Sequence, residues 1–156
     1  AAGAITRLED MGVERFLITA AVNGVLSQRL IRRLCDRCKK PVDLTPDMAR
    51  ETGLSDVSDA TPSQIYESTG CEHCKNTGYS GRLAIHELFV LDAGAQRAVM
   101  DGADASQLHD YARSRGMRTL YEDGLRKVAT GLSSLDEVLR ITQDQTIELD
   151  DDSHVA

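Results

Sequence analysis

Four cysteines, the only ones in this chain of 156 residues, form two C-x-x-C pairs. Cys35 and Cys38 make the first pair, Cys71 and Cys74 make the second, and 32 residues separate the two pairs. A two-residue spacer lets one tight turn direct both sulfurs at the same ion, and tetrahedral zinc accepts four thiolates at about 2.3 Å. The spacing therefore predicts a single zinc site with these four cysteines as its ligands.

A site closed by four sulfurs keeps no open coordination position for substrate or water, so we expect the zinc to be structural and not catalytic. His73 lies inside the second pair, but the sulfurs already complete the site, and we expect this histidine at the solvated surface. A redox-active dithiol is one alternative, although such a motif normally stands alone at the start of a helix. Disulfides or free thiols are the others.

The composition, with 41% hydrophobic and 28% charged residues, is that of an ordinary soluble chain of one domain or two small ones. The sequence has no apolar run long enough to span a bilayer and no signal-peptide pattern. Thiols reserved for metal are typical of a reducing cytosol. Because the chain begins at Ala1 without an initiator methionine, we expect a fragment of a longer protein.

The net charge of −7 is unevenly distributed along the chain. Acidic residues gather at the end, and because no apolar period continues from Gln145 onward, we predict a disordered tail over 144–156. The stretch from Gln28 to Lys40 is instead basic, with Asp36 as its one acidic residue. It is either a surface for phosphates or acidic partners or a simple solvated face. Its basic residues are Arg29, Arg32, Arg33, Arg37, Lys39 and Lys40.

The elements before the second cysteine pair follow from apolar spacing and from turn residues. Gly3–Met11 has helical spacing and is followed by Gly12, which predicts a short helix that ends there. Residues 16–22 are apolar nearly all round, which predicts a buried helix, and a strand is predicted over 25–31. Residues 41–63 are rich in proline, aspartate and serine, and predict an irregular insertion with one short helix after Thr45.

Gly78 and Gly81 follow the second cysteine pair and suit a tight turn that leads into a strand over Leu83–Leu91. Apolar residues alternate imperfectly along this strand, so we expect both of its faces to be partly buried. Glu87 lies among these apolar residues. We expect it to be a surface-edge carboxylate or the partner of a nearby arginine, and we assign it no catalytic role.

Four helices are predicted after this strand, the first over about 92–101. Capping-box pairs, in which side chains satisfy free backbone amides, mark the starts of the other three. These pairs are Asp104 with Gln107, Thr119 with Glu122, and Ser134 with Glu137. Gly102, Gly116 and Gly131 stand where helices commonly end. We expect the apolar faces of the four helices to form a small helical core.

Five groups of residues together carry a resemblance to a known family. They are Ala4–Gly12, Gly24–Leu30, the two cysteine pairs, Gly78–Arg82 with Ile85–Leu88, and Ser134–Val138. In this order and spacing they resemble the C-terminal part of the type II secretion and type IV pilus assembly ATPases. The resemblance covers nearly all of residues 1–142 and leaves only the acidic tail outside it.

The resemblance implies a mixed α/β fold with four parts. Residues 1–34 would be the last elements of a RecA-like ATPase core, and residues 35–82 a tetracysteine zinc subdomain inserted into it. Residues 83–143 would contribute a strand and a C-terminal helical bundle, followed by the acidic tail.

The resemblance also implies that the parent protein is a hexameric cytoplasmic motor that uses ATP and magnesium. Such a motor would lie peripheral to the inner membrane, where it acts on platform proteins to assemble pilins or pseudopilins. This chain has no G-x-x-x-x-G-K-[ST] loop and no identifiable catalytic residue, so we expect the fragment alone to be inactive. By resemblance, Arg82 would contact nucleotide phosphate or a neighbouring subunit. An ion pair between Arg82 and the turn that precedes the strand is the structural alternative. The same two roles are possible for Arg29.

A zinc-stabilised interaction module is the alternative function. Residues 71–78 resemble one C-x-x-C-x-G-x-G unit of the zinc region of J-protein chaperones, but Asn76 replaces the first glycine and no repeats follow. A nucleic-acid-binding zinc ribbon would use the basic residues near Cys35 to bind phosphates. Aromatic residues make up only 4% of the chain and the net charge is negative, so we predict no nucleic-acid partner.

Overall fold

The computed structural model describes residues 1–57 and 62–148, and over these ranges the chain is a mixed α/β protein. The helices are α1 (Gly3–Asp10), α2 (Arg15–Ala21), α3 (Pro46–Glu51), α4 (Ala93–Met100), α5 (Ala105–Ser114), α6 (Leu120–Ala129) and α7 (Leu135–Glu148). The strands are β1 (Gly24–Leu34), β2 (Lys40–Asp43), β3 (Gln64–Glu67) and β4 (Tyr79–Val90). No helix in the described ranges combines the length and the apolar character needed to cross a bilayer.

The chain divides into two compact units. Unit 1 comprises Ala1–Gln28 and His86–Thr119, and unit 2 comprises Arg29–Ile85 and the segment from Leu120 onward. The division passes through β1 and β4, which pair with each other in a two-stranded sheet. Each of these long strands therefore contributes residues to both units.

Unit 1 is organised around an apolar core to which α1, α2, α4, α5 and the end of β4 contribute. Its buried residues are Ala2, Ile5, Ile18, Phe89, Leu91, Ala95, Val99, Leu108, Ala112 and Met117. Asp92 begins α4, and its Oδ1 accepts the N–H groups of Gly94 at 3.0 Å and Ala95 at 2.9 Å and the hydroxyl of Tyr111 at 2.7 Å. The bonds from Ala95 and Tyr111 lower the pKa of Asp92, and the same carboxylate raises the pKa of Tyr111.

The first predicted helix is confirmed, since α1 ends at Asp10 and Gly12 follows with a φ of +86°. The second predicted helix is present as α2, but the prediction that it is buried is wrong. Ile18 is the one buried residue of α2, while Phe16 and Leu17 are 55% and 48% exposed. A helix of seven residues makes only two turns, so the part of its surface that can face the core is narrow.

The predicted strand after the second cysteine pair is confirmed as β4, but the expectation that both faces are partly buried is wrong in unit 1. Glu87 and Phe89 are buried, whereas Leu88 and Val90 on the opposite face are more than half exposed. Glu87 is therefore not a surface-edge carboxylate, because it points to the covered face of the strand. Its Oε1 accepts a hydrogen bond from the backbone nitrogen of Ala1.

Unit 2 contains the antiparallel pair of β2 and β3, in which Val42 is opposite Ile65. The short helix predicted after Thr45 is confirmed as α3, and Thr45 Oγ1 accepts the N–H of Met48 at 3.2 Å. The apolar core of this unit includes residues of β1, β3, β4, α6 and α7. Its buried residues are Ile31, Leu54, Ile65, Ile85, Leu120, Leu125, Val128 and Val138.

The four helices predicted after β4 are present as α4 to α7, but they do not share one core. The buried residues of α4 and α5 belong to the core of unit 1, and those of α6 and α7 belong to the core of unit 2. The predicted single bundle is thus replaced by two helix pairs. The helix α7 continues to Glu148, into the range expected to be disordered, because extending a formed helix needs no new nucleus. Residues 149–156 of the predicted tail lie outside the described residues.

Candidate metal centre

The four cysteines of the predicted zinc site converge in unit 2. Their sulfurs all lie within 4.8 Å of one another. The distance from Cys35 Sγ to Cys71 Sγ is 3.9 Å, that from Cys38 Sγ to Cys74 Sγ is 3.8 Å, and that from Cys71 Sγ to Cys74 Sγ is 3.7 Å. Four sulfurs at about 2.3 Å from a tetrahedral zinc ion are separated by about 3.8 Å. The cluster therefore has the size that a tetrathiolate zinc site requires.

Two tight turns, one for each cysteine pair, direct the sulfurs at a common point. In the first turn, the N–H groups of Cys38 and Lys39 donate to the carbonyl of Cys35 at 3.2 and 3.0 Å. The second turn contains a 3₁₀ turn over Glu72–Cys74. Backbone N–H groups of Cys71 and Gly78 each donate to Cys74 Sγ at 3.2 Å.

Gly78 is the residue that closes the second turn. Its φ is +77°, and a Cβ added at this position would lie 2.5 Å from the Cβ of Ser68. A side chain would therefore meet both backbone strain and a steric clash. Glycine lets the backbone approach closely enough for its N–H to reach Cys74 Sγ.

Cys74 is prepared to act as a thiolate. Burial raises the pKa of its thiol, but hydrogen bonds from the N–H groups of Cys71 and Gly78 and from the neighbouring thiols outweigh burial and lower the pKa to about 6. Thiolate is the form of cysteine that coordinates a metal. Cys35 and Cys74 are buried and Cys38 and Cys71 are half-buried, while His73 is exposed and lies outside the cluster, as predicted.

A second polar cluster in unit 2, which the sequence did not predict, surrounds Glu137. The Glu137 side chain is fully buried and accepts the backbone N–H of Arg32 at 3.0 Å. The guanidinium of Arg32 donates to Oε2 through Nε at 2.9 Å and Nη2 at 2.6 Å. Arg140 donates through Nε at 3.0 Å and Nη2 at 2.8 Å. One buried carboxylate thus accepts five N–H groups from two arginines.

Tyr79 and Ser134 extend this cluster. The guanidinium of Arg32 lies 4.1 Å from the centre of the Tyr79 ring, and Tyr79 Oη is 2.7 Å from Ser134 Oγ. Ser134 Oγ also accepts the backbone N–H of Glu137 at 3.3 Å. We call Arg32, Tyr79, Ser134, Glu137 and Arg140 the Glu137 hub.

The predicted capping box of Ser134 and Glu137 is the sequence pattern that comes nearest to the hub, and it is only half correct. Ser134 caps the N–H of Glu137, but the carboxylate bonds to Arg32 and Arg140. Charge-assisted bonds to a guanidinium are roughly twice as strong as a bond to a neutral amide, so the arginines are the stronger partners of the carboxylate.

Both members of the ion pair are charged at neutral pH. Burial raises the pKa of Glu137, but hydrogen bonds from Arg140 and Arg32 outweigh burial and lower it to about 2. Hydrogen bonding to Glu137 raises the pKa of Arg32 above its ordinary value. The hub therefore keeps its buried negative charge between two guanidinium groups.

The basic residues between Gln28 and Lys40 have different roles. Arg32 belongs to the hub, and Lys39 Nζ donates to the carbonyl of Gly131 at 2.9 Å and lies 4.9 Å from the centre of the Tyr66 ring. Arg33 and Lys39 also pair with Asp36 at 2.8 and 3.1 Å. The remaining members, Arg29, Arg37 and Lys40, are exposed.

Arg82, the predicted nucleotide or intersubunit contact, is an exposed residue of β4 in unit 2. Arg29, which the resemblance leaves open in the same way, is an exposed residue of β1. Neither belongs to the cysteine cluster or to the Glu137 hub.

Comparison with known proteins agrees with the resemblance in the sequence. A family model described as type II/IV secretion system protein matches residues 1–140. The chain is 49% identical to the type IV pilus assembly ATPase PilB of Thermus thermophilus over 91% of this chain and 16% of that protein. It is 43% identical to the type II secretion system protein HxcR of Pseudomonas aeruginosa over 92% of this chain and 26% of that protein.

A third relative is the type II secretion system ATPase E of Vibrio cholerae, which is 41% identical over 92% of this chain and 28% of that protein. The chain therefore spans between about a sixth and just over a quarter of the length of these relatives. Because the family model covers 140 of its 156 residues, the chain belongs to the type II/IV secretion system protein family.

Proposed function

We propose that this chain is the C-terminal part of an ATPase for type II secretion or type IV pilus assembly, and that its four cysteines hold a structural zinc ion. The observation that carries the zinc proposal is the convergence of all four sulfurs within 4.8 Å. Two relatives that match about nine-tenths of the chain are named as ATPases of these systems, which supports the wider role.

The zinc ion would cross-link two turns that are separated by 32 residues of chain. Because a closed four-sulfur site has no position for substrate, its contribution is to folding, and metal binding at such sites is coupled to folding. Cys35, Cys38, Cys71 and Cys74 would be the ligands. The N–H groups of Cys71 and Gly78 would stabilise the thiolate of Cys74 in the bound state.

We propose that unit 1 is part of a RecA-like α/β core that is completed by other parts of a longer polypeptide. Leu26, Leu88 and Val90 of β1 and β4 are each more than half exposed. Strands that are apolar on both faces are typical of sheets covered on both sides, and adjacent exposed apolar residues commonly mark an interface. These side chains support a proposal that further secondary structure packs on this face in the parent protein.

For the parent protein we propose a cytoplasmic homo-hexamer that binds ATP and magnesium and acts on inner-membrane platform proteins. This chain contains no phosphate-binding loop of the G-x-x-x-x-G-K-[ST] type, so it would not hydrolyse ATP by itself. Its role would be to support that motor, with exposed Arg82 directed to nucleotide phosphate or to a neighbouring subunit.

The zinc proposal is tested by the metal content of the chain purified under reducing conditions. We expect about one zinc ion per chain, and we expect Cys71→Ser to lose it because three thiolates leave the site incomplete. Glu72→Gln changes the exposed neighbour of Cys71 and should keep the metal. A chain that contains no zinc and does not take it up would overturn the proposal.

The ATPase proposal is tested in the native gene and in the complete protein. We expect the coding sequence upstream of Ala1 to contain a phosphate-binding loop. In the complete protein, Arg82→Ala should weaken nucleotide binding or slow ATP hydrolysis, whereas Arg37→Ala, at another exposed arginine of unit 2, should not. Unchanged nucleotide affinity and rate in Arg82→Ala would remove Arg82 from the proposed site.

A further inference from the structure

We propose that Glu137 is a positioning residue for the metal centre. The Glu137 hub would hold both cysteine turns in the arrangement that binds zinc, and zinc binding would in turn stabilise the start of α7. This inference rests on the zinc site proposed above. It assigns a role in metal affinity to a residue that contributes no ligand and that lies in another part of the sequence from the four cysteines.

The first cysteine turn is anchored to the hub through the backbone of β1. Arg32 donates its N–H to Glu137 Oε1 at 3.0 Å, and its carbonyl accepts the hydroxyl of Ser133 at 2.8 Å. Two residues later, the N–H of Leu34 donates to the carbonyl of Leu132 at 2.9 Å. Cys35 follows directly, so the segment that leads into α7 fixes the path of the chain up to the first ligand.

The second cysteine turn is anchored to the same hub through Gly78 and Tyr79. The N–H of Gly78 donates to Cys74 Sγ at 3.2 Å, and its carbonyl accepts the N–H of Cys35 at 2.9 Å. The next residue, Tyr79, stacks on the guanidinium of Arg32 and contacts Ser134 Oγ. A displacement of the hub would therefore move the turn that holds Cys74.

A third contact lies on the other side of the first turn. Lys39 follows Cys38 in sequence, and its Nζ donates to the carbonyl of Gly131 at 2.9 Å. Gly131 precedes the same segment that carries Leu132, Ser133 and Ser134. The first cysteine pair is thus held on both its N-terminal and its C-terminal side by residues 131–134.

The charge of Glu137 is what keeps this arrangement together. A fully buried carboxylate that accepts five N–H groups constrains the directions of both guanidiniums and of the Arg32 backbone. A neutral amide at this position would retain the size of the side chain but offer only one acceptor oxygen, so at least two of the five bonds would be lost and an NH2 group would face the guanidinium donors. Because linkage is reciprocal, an interaction that favours the zinc-binding arrangement is itself favoured by zinc.

The experiment compares zinc dissociation constants, measured by chelator competition, for the wild-type chain and two variants with the same change in charge. Glu137→Gln should raise the dissociation constant by about tenfold, within the range typical of coupled sites. Asp136→Asn alters an exposed residue of the same helical turn and should leave it unchanged. Hydrogen exchange at 135–142 should slow when zinc binds to the wild-type chain, and should slow less in Glu137→Gln.

Two further variants separate positioning from a general loss of stability. Val128→Ala removes buried apolar atoms from unit 2 outside the hub. For each degree of melting temperature lost, it should raise the zinc dissociation constant less than Glu137→Gln does. Tyr79→Phe deletes only the hydroxyl that contacts Ser134, and it should raise the dissociation constant severalfold even if Glu137→Gln does not fold.

The outcomes distinguish this inference from the zinc proposal. If the wild-type chain binds zinc but Glu137→Gln matches Asp136→Asn, the positioning role is wrong and the zinc site stands. The same conclusion follows if Glu137→Gln weakens binding no more than Val128→Ala does at equal destabilisation. If the wild-type chain binds no zinc, the zinc proposal fails and this inference fails with it.

Discussion

The two units of the chain are stabilised by different kinds of interaction. Unit 1 is held by an apolar core, and among the residues that the structure describes Glu87 is its one buried polar side chain. Unit 2 also has an apolar core, but in addition it buries Ser133, Ser134 and Glu137 close to the cysteine turns. Apolar burial depends little on pH or metal, whereas thiolates and ion pairs depend on both.

The difference follows from how polar and apolar residues are distributed along the sequence. Unit 2 contains the insertion between the cysteine pairs, which is rich in turn-forming and charged residues and supplies few large apolar side chains. A segment with few apolar side chains commonly uses a metal or another cross-link to remain folded. The cysteine cluster and the Glu137 hub supply such links, and both lie in unit 2.

Loss of the metal should produce the largest difference in stability between the two units. In Cys71→Ser, hydrogen exchange should accelerate throughout Cys35–Arg82 while the helices of unit 1 keep their protection. Metal binding is coupled to folding at small cysteine sites, so loss of the ion should weaken the folding of unit 2, although its apolar core remains. Glu72→Gln is the matched control. Equal acceleration in both units, or none in unit 2, would contradict the comparison.

Acid should destabilise unit 2 through Glu137 even without metal. The pKa of this carboxyl falls from 4.5 to about 2 on folding, so its stabilising effect is complete above pH 4.5 and is lost as the pH falls towards 2. The shift corresponds to about 3 kcal/mol in the free energy of unfolding. We expect urea unfolding of the zinc-free chain between pH 3 and 7 to show this decline in wild type.

Glu137→Gln cannot titrate, so it should lose this part of the pH dependence and should already be destabilised at pH 7. Asp136→Asn should follow the wild-type curve, because Asp136 is exposed on the same helical turn. If the free energies of unfolding of wild type and Glu137→Gln changed with pH in parallel, the arginine contacts would not stabilise the folded chain.

Local sequence patterns predicted the features that depend on residues close together in the chain. The cysteine turns follow from the two-residue spacers, and α5 follows from Asp104 and Gln107, whose side chains cap each other's backbone N–H groups at 2.8 and 3.0 Å. Such contacts arise from the geometry of one turn, so the residue types and their spacing are sufficient to predict them.

Contacts between distant parts of the chain were not predictable from the same patterns. Glu137 and Arg32 are 105 residues apart, and the sequence does not state which of many arginines pairs with a given carboxylate. The pairing of β2 with β3 was missed because each strand has only four residues and an insertion separates them. The burial of Glu87 and the exposure of Phe16 also depend on which neighbours tertiary packing supplies.

A steric change at the edge of the unit 1 core should destabilise that unit independently of zinc. A Cβ at Gly94 would lie 2.0 Å from the hydroxyl oxygen of Tyr111, so Gly94→Ala must displace the bond from Tyr111 to Asp92. We expect a loss of about 1 to 3 kcal/mol in thermal or urea unfolding, the usual range for overpacking. The loss should be the same with zinc and with chelator.

Gly3→Ala is the matched control, because it also places alanine in a helix of unit 1 but meets nothing within 4 Å. It should leave stability unchanged or raise it slightly, since alanine favours helix. A loss in Gly94→Ala that appears only in the zinc-free chain would mean that the two units are not independently stabilised.

The smallest effect is expected at an exposed ion pair of unit 2. Comparison with Glu137 tests whether burial or charge alone determines how much an ion pair stabilises that unit. Arg50 pairs with Asp47 one turn away on α3, and both side chains are more than 70% exposed. Water and salt screen such pairs, so Arg50→Ala should change the urea midpoint at pH 7 by no more than the experimental error. Glu137→Gln also removes one charge from unit 2, yet it should shift the midpoint strongly because its partners lose a buried counter-charge. If the two variants had equal effects, burial would add nothing to the contribution of the Glu137 ion pairs. A larger shift of the urea midpoint in Glu137→Gln would identify the burial of Glu137 as the reason that ion pairs stabilise unit 2.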